Sequence, residues 1–390
     1  MKRMTALLFA LFALAVATQI GLAQTNQLAA TVKNELDAAR TSETIVLSMK
    51  DISKTLQTSD WKKVHVTDQV SGQELLTQGI DLDGDGVADL LLFQSDFKGG
   101  ETRSFILAAG ANKVLTKEQF KAYGRFVRER SDDFAWENDR IAHRMYGTAL
   151  ETWKLEPLTS SAVDVWAKRV RRLVINDWYM VDNYHTDTGE GADFYSAGTS
   201  RGCGGTGIWE NGKLFVSRNF INTKVIANGP IRVMFELTYV PWDANGHTVS
   251  EVKRVTLDAG QNFDRFESYY KTDSGAPVTY GIGIKKWPGS NLQSSRKDGW
   301  LRTWEPLQKG QAGNLGCGII IDPAALADFT EADGNYLVVA KTPAGQPAVY
   351  YAGFGWDRSG DFSGAGDWDA YVQQFARRVA SPLKISLSPR

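Results

Sequence analysis

Three stretches of this 390-residue chain gather side chains that could do chemistry. The first runs from Arg128 to Gly147 and holds Trp136, Glu137, Asn138, Asp139, Arg140, His143, Arg144 and Tyr146. Read as one strand, Trp136, Asn138, Arg140 and Arg144 face one way; Glu137, Asp139, His143 and Met145 face the other. Charges on both faces of a mid-domain strand need partners. They form either a buried ion-pair network or the lining of a pocket. Trp beside Arg suits ring stacking and carboxylate recognition, which favours the pocket. The second stretch runs from Trp178 to Tyr195, with Tyr184, His185, Glu190 and Asp193. A histidine beside a tyrosine and several carboxylates can titrate near neutrality and move protons. The bland alternative is a hydrogen-bonded loop histidine. The third stretch is Gly198 to Gly207, where Arg201 precedes a glycine-rich turn that could bring backbone close to a ligand. It is not a nucleotide fingerprint, because it does not join a strand to a helix.

A fourth motif reads as structural. Asp81, Asp83, Asp85 and Asp89 alternate around Gly84 and Gly86, a pattern that wraps carboxylate oxygens around a hard cation such as calcium. Leu92 stands where a helix-loop-helix calcium site places its bidentate glutamate, and the flanks read as strands. The alternative is a turn whose carboxylates cap backbone amides. His65 and His247 read as strand and turn residues. His-Glu-x-x-His is absent, which leaves zincin chemistry without support, and no serine sits in an elbow-like context between a strand and a helix, so serine-hydrolase chemistry has little support. No organic cofactor is implied.

These residues need a frame, and the patterning predicts a mostly β one. Short strands are expected at 44–48, 63–66, 74–77, 89–94 and 104–108, spaced as in a small β-sandwich over 24–123. A helical turn at 116–123 leads into a second, larger β domain over 124–390. There the alternation predicts strands at 232–239, 251–257, 264–271, 278–284, 318–321, 336–340 and 349–353. Helices are expected at Ser161–Leu173 and Trp368–Ser381, and Asp357–Asp367 reads as a surface loop and candidate cleft wall. Residues 1–23 read as a secretory signal: Lys2 and Arg3, an apolar run over 5–17, then Gly21-Leu22-Ala23 before cleavage. The run is too short to span a bilayer and lacks a lipoprotein cysteine, so the expected location is the periplasm or the medium. A net charge of −1 gives no reason to expect a nucleic-acid partner. Frequent Gly, Trp and Tyr suit a sandwich that faces sugars. Cys203 and Cys317 lie in glycine-rich turns and are read either as a disulfide or as two buried thiols.

Asp133-Phe134-Ala135-Trp136-Glu137-Asn138-Asp139-Arg140, Tyr184-His185 with Gly189-Glu190-Gly191 and Asp193-Phe194-Tyr195, Arg201-Gly202-Cys203-Gly204-Gly205, and Gly229-Pro230-Ile231-Arg232 together resemble the bacterial domain-of-unknown-function family numbered 4861. The resemblance covers most of the chain after the signal. It implies a galactose-mutarotase-like β-supersandwich. It also implies a setting among polysaccharide-utilisation genes, next to enzymes that degrade pectin-like and algal uronic-acid polymers, and an oligosaccharide dehydratase or lyase activity.

Such an elimination needs a group to neutralise the substrate carboxylate, a base for the adjacent C–H and an acid for the leaving oxygen. Arg201 or Arg140 is expected to grip the carboxylate. His185 or His143 is the expected base, Tyr184 or Tyr146 the acid, and Trp136 a stacking platform. Glu137, Asn138, Asp139, Glu190 and Asp193 are expected as substrate contacts. Two alternatives stay open. One is a glycoside hydrolase with paired carboxylates from Glu137, Asp139, Glu190 and Asp193. The other is a sugar-binding or mutarotase-like protein that cleaves nothing.

Overall fold

The computed structural model describes residues 26–390. The expected secretory signal lies outside them. The chain is mostly β. Its first sandwich packs a five-stranded sheet on a three-stranded one. Alternation builds it: Val64 and Val66 point inward while His65 between them does not, and Leu91, Phe93, Phe105 and Leu107 fill the space between the sheets. A short helix, α1 (Met49–Leu56), was not expected. Ser48 caps it, its side chain accepting from Asp51 N, and Met49, Ile52 and Leu56 put one stripe into the core.

The five-stranded sheet is finished by the far end of the chain. Strand Lys384–Pro389 pairs antiparallel with Gln27–Lys33, from Leu28 opposite Pro389 to Lys33 opposite Lys384. The first sandwich therefore holds both termini of the described chain.

The larger body contains three sheets. A ten-stranded sheet runs through Phe220–Ala227, Arg232–Tyr239, His247–Asp258, Phe263–Thr272, Ala348–Trp356 and Asn314–Ile320. A five-stranded sheet centred on Val278–Lys285 faces it, and a second five-stranded sheet carries the motif residues. One apolar core joins all three, including Phe134, Trp136, Phe235, Phe266, Ile282 and Val338. The segments expected to alternate in this body fall within strands, except that 318–321 runs one residue past Asn314–Ile320. The last predicted helix is α3 (Ala365–Ala380), with α2 (Ile175–Val181) before it.

Two expectations are corrected. Ser161–Leu173 is not a helix; it contains strand Asp164–Lys168, all five residues of which are buried. A strand covered on both faces loses its two-residue alternation, and its apolar run then reads as helical. Residues 133–145 are not one strand but a hairpin, Asp133–Asn138 against Ile141–Met145. Asn138 makes the turn, its Oδ1 accepting from the backbone of Arg140 and Ile141 at 2.8 and 2.9 Å.

Candidate active site

The hairpin turn decides where every motif side chain points. Across the hairpin Trp136 pairs with His143, and their rings stack at 5.1 Å. That face enters the sandwich core. On the opposite face lie Asp133, Glu137 and Arg144, joined by Asp164, which stands opposite Arg144 on the next strand.

Arg144 is the hub of this second face. Its Nε donates to Asp164 Oδ2 at 2.9 Å and its NH2 to Asp193 Oδ2 at 2.8 Å. NH1 donates to the Tyr184 hydroxyl at 3.3 Å and lies 3.5 Å from Asp133 Oδ2. Tyr146 donates to Asp164 Oδ2 at 2.9 Å, and Tyr179 to Asp133 Oδ2 at 3.1 Å. Three buried carboxylates thus surround one guanidinium. Burial raises the Asp193 carboxyl to about 7, with the Asp164 charge adding and Arg144 opposing. Burial likewise lifts Asp133 to about 7 against the pull of Arg144. Burial opposes the Arg144 charge, but the neighbouring Asp193, Tyr146 and Asp164 outweigh it and raise its pKa. The phenol of Tyr146 is driven well up by burial and then by Asp164.

One side of this cluster is open. A cavity of about 520 Å³ is lined by Arg144, Tyr146, His185, Asp193, Glu156 and Trp287, among others. The His185 side chain is 61 % exposed. Its Nδ1 is 3.4 Å from the Asp193 carbonyl and 3.5 Å from Asp193 Oδ2. A carbonyl accepts only, so this contact assigns the hydrogen to Nδ1 and leaves the Nε2 lone pair free. Partial burial, then the Arg144 charge, lowers the His185 pKa and favours the neutral ring. Next to two lining residues, Lys285 Nζ donates to the Ser196 carbonyl at 2.5 Å and sits 3.9 Å above the Trp287 ring. Arg130 bonds Glu156 at 2.8 Å and also the Tyr184 hydroxyl.

Of the residues expected to form a site, Tyr146, His185 and Asp193 meet at this cavity, with Tyr184 buried behind them. The others lie elsewhere. Trp136 has no exposed surface and donates to Asp264 at 2.7 Å, so it offers no face to a sugar. His143 is equally buried, 3.0 Å from Asp264 and 3.1 Å from the Asp164 carbonyl. Glu137 meets Lys168 at 2.6 Å and accepts from the amides of Val174 and Ile175, which opens α2. Asn138 holds the turn, and Asp139 accepts from Gly260 N at 2.7 Å. Arg140 reaches Asn262 at 3.2 Å and Asp361 at 3.6 Å. Asp361 belongs to the 357–367 loop, which does not contribute to this cavity lining. Arg201 is buried against Ser161 and Thr199, and burial pulls its pKa down to about 10. The glycine after it serves packing: Gly202 has φ +60°, and a Cβ there would lie 2.0 Å from the Val163 carbonyl. Glu190 is held by Arg172 at 2.9 Å and 2.5 Å beside a smaller hollow of about 140 Å³.

Several site residues were missed. Arg144 stood in the first motif without a role; a turn at Asn138-Asp139-Arg140 would have put it beside Asp133. Asp164 was hidden by the helical reading. Trp287 and Lys285 lie about a hundred residues from the other motifs and carry no local signal.

The aspartate loop joins strands Thr77–Ile80 and Leu90–Phe97 of the first sandwich. Asp81 accepts from Gly84 N and Gly86 N at 2.7 and 2.8 Å, and Asp85 from Val87 N at 2.7 Å. Asp81, Asp83 and Asp89 bring carboxylate oxygens within 4.8 Å of one another; Asp85 stands outside that group. Both cysteines are buried free thiols: Cys203 lies 3.1 Å from the Gly353 carbonyl and Cys317 3.5 Å from the Tyr195 hydroxyl.

The chain belongs to the family described as a domain of unknown function, DUF4861, whose profile matches residues 32–385. It is 34% identical over 373 residues to uncharacterized protein P7 of Formosa agariphila, covering 92% of each chain. Its fold is similar to that of an alpha-mannosidase from Enterococcus faecalis V583, with TM-score 0.51 at 12% identity. It is also similar to a protein of glycosyl hydrolase family 38 from Enterococcus faecalis, with TM-score 0.52 at 11% identity. Each match covers 93% of this chain, which spans about half the length of those structures, 46% and 47%. The β-rich architecture is thus shared. No helix among the described residues is long and apolar enough to cross a membrane.

Proposed function

We propose that this protein is a carbohydrate-active carbon–oxygen lyase that acts by elimination on a uronic-acid-ended oligosaccharide. The observation that carries the reading is the meeting of His185, Tyr146, Asp193 and Arg144 on one open cavity. His185 Nε2 takes the proton from the carbon next to the substrate carboxylate. The electron pair left behind forms a carbon–carbon double bond, and the bond to the β oxygen breaks. That oxygen leaves as water or as a sugar hydroxyl, with a proton from Tyr146. A raised phenol pKa keeps that proton in place at neutral pH until the leaving oxygen develops charge. Lys285, next to the lining, replaces Arg201 and Arg140 as the group that neutralises the substrate carboxylate, and Trp287 replaces Trp136 as the stacking wall. Asp193 and Asp164 hold Arg144, and Asp193 also holds His185.

Elimination is preferred to hydrolysis for a specific reason. Of the four carboxylates offered for hydrolysis, Glu137, Asp139 and Glu190 are engaged elsewhere and only Asp193 lines the cavity, and the other carboxylate of the lining, Glu156, is paired with Arg130. The test is incubation with a panel of uronic-acid oligosaccharides, followed by ultraviolet absorbance of a new conjugated double bond. Absorbance that grows with wild type and not with His185→Ala supports the reading; reducing sugar released without absorbance sinks it.

Two further parts of the reading complete it. The enzyme works in the periplasm or outside the cell, and the loop of Asp81, Asp83 and Asp89 takes calcium as a brace for the first sandwich. Millimolar calcium should raise the melting temperature of chelator-treated protein, and Asp81→Asn should remove that rise. An unchanged melting temperature on adding calcium would refute the brace.

A further inference from the structure

A second cavity, of about 380 Å³, lies where the first sandwich, the outer face of the ten-stranded sheet and α3 meet. None of the elimination residues lines it. We propose that it is a separate binding site for a small sugar-like ring that carries one oxyanion, either a carboxylate or a sulfate ester.

Its floor is a single cross-strand row. Met234, Thr256, Arg265 and Tyr351 stand opposite one another on four neighbouring strands, so all four point to the same side. Glu43 closes it from the first sandwich, and Phe375 and Arg378 from α3. Charge sets the ligand's sign. Arg232, Arg265 and Arg378 face Glu43 and Asp258; behind them Arg40 and Glu267 add one charge of each sign. One positive charge is left over. Arg232 is closed off by a two-pronged bond to Asp258, at 2.6 and 2.8 Å. Arg265 is not: it meets Glu267 through NH1, and its side chain is 38 % exposed.

Two donors of the cavity lining have no hydrogen-bond partner among the described residues. They are Thr256 Oγ1 and Arg378 Nε, on side chains that line the cavity and are nine-tenths buried or more. A buried polar atom left alone costs about 1–3 kcal/mol, so a ligand oxygen there removes a standing penalty. Tyr351 and Phe375, edge to face at 5.5 Å, give the apolar wall a ring can lie against. The volume falls within the range of about 300–1,000 Å³ typical of small-molecule sites.

The experiment is calorimetric titration of the full chain with three probes: the methyl glycoside of glucuronic acid, galactose 6-sulfate and neutral methyl glucoside. The variants are Arg265→Gln and Thr256→Val, which keep shape and remove one donor set each, and Trp287→Ala at the other cavity. Melting temperatures confirm that each variant is folded. We expect at least one anionic probe to bind about tenfold or more tightly than the neutral one. Each of the first two variants should weaken it about tenfold, and Trp287→Ala should leave it unchanged. Which anionic probe binds identifies the oxyanion. Failure of both to bind overturns the proposal, as does binding that survives Arg265→Gln and Thr256→Val or vanishes only in Trp287→Ala. The readout is binding away from the elimination residues, so it stands or falls apart from the proposed reaction.

Discussion

Glu137 and Arg144 project from the same face of one hairpin, yet they anchor opposite kinds of cluster. Glu137 has one cation, Lys168, and two backbone amides, and neither side chain touches solvent. Its charge is matched and its site is closed. Arg144 has three carboxylates and two phenols around it, and one side opens on the cavity. There the charges do not match, and Asp193 and Asp133 respond by titrating near 7. A balanced, sealed ion pair holds a fold together. An unbalanced one with an opening can hold or pass a proton at working pH.

That contrast is broken most severely at His185. His185→Ala should cut turnover by about 10²–10⁴-fold, which is up to about 5 kcal/mol of barrier. Its side chain is mostly exposed, so the urea midpoint should stay near wild type. Glu137→Leu should do the reverse. It strands Lys168 in the interior at a cost of about 3–5 kcal/mol, seen as a large fall in the urea midpoint. Specific activity of the part that remains folded should change little. A Glu137→Leu chain with normal stability would undo the comparison.

Trp287→Ala should raise KM about tenfold, with a smaller change in kcat, because it removes a wall and not a proton carrier. Measured initial rates over a range of substrate decide this. The smallest effects are in pH. Elimination makes neutral His185 the working form, and burial and Arg144 lower its pKa from the ordinary histidine value, so activity should hold at neutral pH and fall only in more acidic solution. The stability sign is different. Asp133 and Asp193 are raised from 3.8 to about 7 in the folded state, so the folded protein binds more protons in that window. Stability is greatest below about 4 as far as these two groups are concerned and is lost as pH rises through about 7. Asp133→Asn should flatten that slope in urea unfolding measured from pH 5 to 8.

The alternation was legible where a strand is covered on one face, as 64–68 and 104–108 are. It failed where a strand is covered on both faces, at Asp164–Lys168, and that one error concealed Asp164. The motif segments held the right residues, but one unrecognised turn at Asn138 reversed their facing. Trp136 and His143 then entered the core while Arg144 reached the cavity. Lys285 and Trp287 were invisible for another reason: only sheet pairing, with Cys203 opposite Ile284, carries strand Val278–Lys285 and the residues just after it to the site. The last strand was missed because Lys384–Pro389 is short and mostly exposed, and finds its pairing partner only at the other end of the chain.

The most direct test of the central claim is the mass of the products made from one uronic-acid-ended oligosaccharide by wild type and by His185→Ala. Elimination predicts that the wild type forms an unsaturated fragment. When water leaves, the product is lighter than substrate by one water. When a sugar leaves, the fragment masses add up to the substrate. The variant should leave the substrate intact. Fragments that together gain one water, or an equally active His185→Ala, would contradict it.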